Sequence, residues 1–234
     1  MSFLSRRTAG MLLLAALIAL GFFNSQAAAQ SQQPDFREVV LDFMRMSNAN
    51  GEVNLVFWIP DEFWRLAAAL NPNASTSQTD VVIKVVHPYT ILCVASGKNR
   101  PFAAPDYRTE AEVRGLIRLK DGSGNIYTPL PQDQLDASVA GLLAIAKPSL
   151  ERMSGSATSK WYFFVFPGST KDGMRICDPT KEGTCEVDLG EQAFRWRLPL
   201  GSLLPKQRCP RCGEMLSGAY KFCPYDGTKL EQNK

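Results

Sequence analysis

The sequence predicts an α+β fold built on an antiparallel β-sheet or sandwich, with two or three helices. Three observations carry that expectation. Six or seven short β-prone runs are separated by Asn, Gly and Pro turn signals. Only one stretch is long enough and apolar enough for a multi-turn helix. Strands and helices do not alternate in the rhythm of a parallel βαβ sheet. The 234 residues are 45% hydrophobic and 21% charged, which suits one domain of moderate size with a real core plus appendages.

The elements follow in order. Residues 37–46 have the apolar, β-prone content of a strand, and Asn48-Ala49-Asn50-Gly51 is a turn signal. Residues 53–59 (VNLVFWI) read as a buried strand, so the two form a first hairpin. Pro60 and Asp61 open a short helix over 62–70 with Asp61 as N-cap, and Asn71-Pro72-Asn73 stops it. Residues 80–86 are ambiguous between helix and strand until Pro88 breaks them, and 89–95 (YTILCVA) read as a strand. Residues 116–120 and 125–130 flank Asp121-Gly122-Ser123-Gly124 as a hairpin. The longer helix covers 134–153 and is interrupted at Pro148. Residues 161–166 (WYFFVF) form another buried strand, and 194–200 (FRWRLPL) alternate as a strand with one polar face.

The ends differ in character from this body. Arg6 and Arg7 precede an apolar run over 11–23 (MLLLAALIALGFF), followed by Ala27-Ala28-Ala29. A charged start, a short apolar stretch and an Ala-x-Ala site define an export signal, here over 1–29 with cleavage after Ala29. The run is shorter than the ~20 residues a spanning helix needs. The alternative is an uncleaved anchor, and in both cases the body is extracytoplasmic, periplasmic or secreted, because Arg6 and Arg7 hold the start inside. The first cysteine is Cys93, which excludes a lipid anchor at the cleavage site. Residues 30–35 are a polar linker, 36–205 the body and 206–234 a separate tail. Residues 30–205 hold 18 basic and 20 acidic residues, no footprint for nucleic acid.

The tail holds the sharpest signal. Cys209-Pro210-Arg211-Cys212-Gly213 is followed, with ten residues between Cys212 and Cys223, by Cys223-Pro224-Tyr225-Asp226-Gly227. Each piece has the frame of a zinc knuckle: Pro stiffens the loop, two ligands point inward, and Gly permits the bend that brings amides to the sulfurs. With Phe222 before the third cysteine and Gly227-Thr228-Lys229-Leu230 after the fourth position, residues 208–230 resemble the short zinc-ribbon family. The resemblance implies a small C-terminal ribbon around a structural Zn²⁺ held by Cys209, Cys212, Cys223 and Asp226. Asp226 stands where the family has a fourth cysteine, and a carboxylate is a sensible zinc ligand. The alternatives are three cysteines with water, a metal-free disulfide pair, or a redox-active Cys209-Pro-x-Cys212 dithiol.

Outside the tail, Cys177 and Cys185 bracket a polar loop that a disulfide would close in an exported chain. Cys93 reads as a buried thiol. His87 is the single histidine and reads as a turn or strand-end residue, which removes a Ser-His-Asp or His-rich metal centre from consideration. Asp61, Glu62, Glu110 and Glu112 read as surface acids, and Asp121 to Asn125 as a turn rather than a calcium loop. The expected function is therefore an exported, non-enzymatic envelope protein: a binding or scaffolding body, partnered by protein and not by nucleic acid, with no membrane span once the signal is removed. The alternative is a thiol-redox or metal-handling protein acting through Cys209 and Cys212.

Overall fold

The computed structural model describes residues 35–153 and 160–231. The export-signal reading over 1–29 and the linker up to residue 34 lie outside the described residues. The chain runs α1 (Phe36–Phe43), β1 (Met44–Ser47), β2 (Glu52–Trp58), α2 (Asp61–Ala69), α3 (Thr76–Val86), β3 (Tyr89–Arg100), β4 (Ala103–Tyr107), α4 (Glu110–Leu116) and β5 (Ile117–Lys120). It continues through β6 (Ile126–Tyr127), a 3₁₀ turn (Gln132–Gln134), α5 (Ala137–Met153), β7 (Tyr162–Pro167), β8 (Gly183–Leu189) and β9 (Gln192–Leu198). After a second 3₁₀ turn (Gly201–Leu203), the tail holds β10 (Gln207–Arg208) and β11 (Met215–Leu216).

This is an α+β architecture with antiparallel sheets, as the sequence predicts, and the described residues contain five α-helices rather than two or three. In the first sheet β1, β2, β3 and β4 lie in that order, and β7 also pairs with β3. The second sheet has the order β6-β5-β8-β9. Strand β3 is the spine: Leu92 lies opposite Trp58 on one side and Phe164 on the other, and all three are buried. One continuous core joins the sheets, with the Trp58 and Trp196 rings edge-to-face at 6.0 Å between centroids. The Trp196 indole N–H donates to the Asp42 carbonyl at 3.0 Å, which seats β9 on the end of α1.

Three readings are corrected. Residues 37–46 are not one strand. The Asp35 carboxylate caps the Arg37 amide at 2.9 Å, and Phe36, Val39, Val40 and Phe43 fall on one helical face against the core. A helix therefore forms first, and only Met44–Ser47 enters the sheet, opposite β2. Asp61 is not an N-cap: Pro60 holds that position without a side-chain bond, and Asp61 is the first helical residue. The ambiguous stretch 80–86 is helix. It begins at Thr76 because Ser75 and Gln78 close a reciprocal capping box upstream of the apolar residues.

Candidate metal centre

Two turns of the same backbone design build the centre in the tail. In the first, the Cys209 N–H donates to the Glu214 carbonyl at 2.9 Å and the Gly213 N–H to the Cys209 carbonyl at 3.0 Å. In the second, the Cys223 N–H donates to Thr228 at 2.8 Å and the Gly227 N–H to Cys223 at 2.9 Å. Arg208 pairs with Met215 beside the first turn as Phe222 pairs with Lys229 beside the second. Every partner shifts by the interval from Cys209 to Cys223, so the tail is one knuckle used twice. Gly213 and Gly227 have φ of +77° and +72°, where a side chain would strain the turn. Leu216 and Leu230, related by the same interval, are buried with Cys209 and Cys223 in a small core of the tail's own.

The two knuckles bring Cys209, Cys212, Cys223 and Asp226 together, with one ligand atom from each lying within 4.8 Å of the others. The Cys212 and Cys223 sulfurs are 3.6 Å apart, and the Cys209 sulfur lies 3.5 Å from Asp226 Oδ2. A tetrahedral zinc with Zn–S near 2.3 Å and Zn–O near 2.0 Å sets donor edges of about 3.8 Å for S···S and about 3.5 Å for S···O. The donor set fits that frame, and the sulfurs are far beyond the ~2.05 Å of a disulfide. Cys209 and Cys223 are buried while Cys212 is exposed. The centre thus has a closed side and an open side.

The electrostatics of this cluster ask for a cation. The Thr228 amide, 2.9 Å from Asp226 Oδ1, is the main reason the Asp226 carboxyl sits far below the usual range. Burial works to raise the Cys209 thiol, but the Cys212 and Arg211 amides aimed at it outweigh burial and hold it below its ordinary value. At Cys212 the Glu214 amide favours the thiolate. Burial and the crowding of Cys209, Cys223 and Asp226 prevail, and the thiol is pushed up to about 12. Several acidic groups share one small space and cannot all ionise together. A divalent ion at the centre reverses that penalty.

The tail is tied to itself and to the body by polar contacts. The buried Gln207 side-chain amide donates to the carbonyls of Ser217 (3.1 Å), Gly218 (3.3 Å) and Tyr220 (2.6 Å), fixing the segment between the knuckles. Lys206 pairs with Glu38 at 2.9 Å and Lys221 with Glu182 at 3.7 Å.

The remaining candidates fall into place. Cys177 and Cys185 are joined in a disulfide that closes the loop leading into β8. Cys93 is buried on β3. The Asp121 carboxylate accepts from the Ser123 and Asn125 amides, both at 2.9 Å, and from the Tyr127 hydroxyl at 2.8 Å, so it holds its own turn.

The sequence reading missed one charged cluster. His87, at the end of α3, places Nδ1 2.6 Å from Oδ2 of the buried Asp61. Beside it, Arg175 grips Glu62 with two bonds of 2.8 and 3.1 Å. Asp61 and Glu62 are therefore engaged groups rather than free surface acids. No local pattern announces this, because three distant segments supply the partners. A scan against family models and searches of curated proteins and of solved structures return no match to this chain.

Proposed function

We propose that this chain is an exported, non-enzymatic binding or scaffolding protein whose C-terminal segment is a zinc ribbon folded around one structural Zn²⁺. The observation that carries the reading is the convergence of Cys209, Cys212, Cys223 and Asp226 on two equivalent knuckles at tetrahedral donor spacings. Zinc suits a site of three thiolates and one carboxylate, since soft sulfur selects it over calcium or magnesium. Cys209 and Cys212 occupy a turn closed by Gly213 and not the start of a helix, the setting in which redox-active Cys-x-x-Cys pairs are found. That favours a structural over a redox role.

Export is supported by the charged, apolar and Ala-x-Ala pattern of residues 1–29 together with the Cys177–Cys185 disulfide, a bond that persists in oxidising compartments. Among the described residues no helix is long and apolar enough to cross a membrane. In this reading the body meets protein partners, and the ribbon holds the end of the chain folded. The test is zinc content with thiol counting on protein exported and purified without reductant. About one zinc per chain, with the tail thiols titrating only after chelation and denaturation, is the expected result. A zinc-free chain with Cys209 and Cys212 recovered as a disulfide would replace this reading with a thiol-redox one.

A further inference from the structure

The hairpin of β3 and β4 carries an unusual tip. Arg100 pairs with Ala103, leaving Pro101-Phe102 as the two-residue turn. Phe102 has φ of +58°, a conformation that Gly or Asn adopts freely and an aromatic residue does not. Its side chain is fully exposed, at 108% of its reference area, so no burial within the chain offsets the strain. Pro101, Ala103 and Ala104 beside it are exposed as well. A strained turn that holds a bare phenyl ring outward, on an apolar tip, is built to meet something outside the molecule.

The charges around the tip say what. Lys98, Arg100 and Lys160 all act on the carboxylate of Asp106, which lies opposite Lys98 on β4. Arg100 pairs with it at 2.7 Å, and all four side chains are at the surface. Lys98, Arg100 and Lys160 thus stand behind the apolar tip, with Asp106 paired to Arg100 and Glu52 paired to Arg108. Glu52, opposite Lys98 on β2, is taken up by Arg108, which follows the end of β4. A single ring with small apolar neighbours reaches no deeper than the headgroup and upper acyl region of a bilayer. A collar of lysine and arginine at that level complements anionic headgroups. From this geometry we infer that the β3–β4 tip is a membrane-surface wedge, which inserts Phe102 into an anionic phospholipid bilayer while Lys98, Arg100 and Lys160 contact the phosphates. The inference stands on the body alone and is independent of the metal in the tail.

The test uses the full chain and vesicles of phosphatidylcholine with or without 30% phosphatidylglycerol. Flotation gives the partition coefficient of the wild type, of Phe102→Ser and of the double variant Lys98→Glu, Arg100→Glu. Both variants are expected to bind anionic vesicles about tenfold more weakly, and wild-type binding should fall with added salt. Because residues 11–23 could hold any uncleaved chain on the vesicle, Phe102→Trp supplies a local readout. Its added emission should shift to the blue and be quenched by brominated lipid. Unchanged partitioning of Phe102→Ser, with the added tryptophan still quenched by aqueous acrylamide, would overturn the proposal. So would a wild type that self-associates through this tip, with Phe102→Ser restoring the monomer, since the occupant would then be a second copy.

Discussion

The body buries Phe43, Trp58, Leu92, Phe164 and Trp196 in one core shared by both sheets, whereas the tail's own core is Cys209, Leu216, Cys223 and Leu230. Two leucines and two cysteines do not offset the conformational entropy of ordering some twenty-five residues, at roughly 1–2 kcal/mol each. The tail's short strand pair, β10 with β11, adds only two residue pairs. On the proposed reading its order comes from a metal held where its four polar donors meet. The body follows the ordinary rule of apolar burial, whereas the tail gathers four polar donors at a site that could hold a metal ion. The contrast teaches that one chain can be stabilised by two separable means, and each can be attacked without the other.

The largest effect is expected in the tail. Cys209→Ser removes a buried donor of the proposed zinc site, and structural zinc contributes on the order of 10 kcal/mol to such modules. Residues 206–231 should lose amide dispersion and become open to protease, while the melting transition of the body stays in place. In the body, Trp58→Ala leaves a cavity between the two sheets and should cost about 3–5 kcal/mol. The denaturant midpoint should fall while zinc content is retained, so this variant is the converse of the first.

The Cys177–Cys185 bond comes next. It closes a loop with a sequence separation of 8 between β7 and β8, and Cys177→Ser with Cys185→Ser should lower stability by about 2–3 kcal/mol. Equilibrium unfolding with and without reductant reads this directly, and the wild type alone should respond to reduction. Asp226→Cys restores the fourth thiolate on the partly open side of the centre and should tighten zinc roughly tenfold against a chelator of known affinity. A loss of affinity would mean that Asp226 is not a ligand.

The smallest effect is a pH dependence confined to the body. The Glu52 carboxyl is held below its ordinary value mainly by its bond to Arg108, aided by Asn54. A depressed carboxyl pKa stabilises the folded state in full above the ordinary value of 4.5 and loses that contribution as pH falls through the lowered value. Glu52→Gln should therefore cost about 1 kcal/mol near neutrality. The difference from wild type should close on acidification, as measured by denaturant titration at several pH values.

How legible these regions were in the sequence follows the same division. The tail's four clustered donors are set by local spacing, so Cys209, Cys212, Cys223 and Asp226 could be named as candidates from the repeated frame alone. In the body, β2, β3 and β7 are apolar runs buried from both sides, and they announce themselves. Elements with one solvated face were harder. Residues 36–43 carry β-prone valines on a helical face, and their period, not their composition, decides the element. Strand β8 alternates Cys185, Val187 and Leu189 inward with Glu186 and Asp188 outward, yet its polar half blended into the preceding loop. Helix α4 is a seven-residue segment whose capping box, Thr109 with Glu112, was the available signal. The hydrogen bond between His87 and Asp61 was not legible at all. It depends on two helices meeting, and nothing local encodes that approach.

The most direct measurement of the two-region account is hydrogen exchange across the whole chain before and after removal of metal with a strong chelator. The amides of Cys209, Gly213, Cys223 and Gly227, each hydrogen-bonded within a knuckle, should exchange freely after chelation. Those of β3 should keep their protection. Protection of the knuckle amides that survives chelation would contradict the claim that a metal holds the tail in its fold.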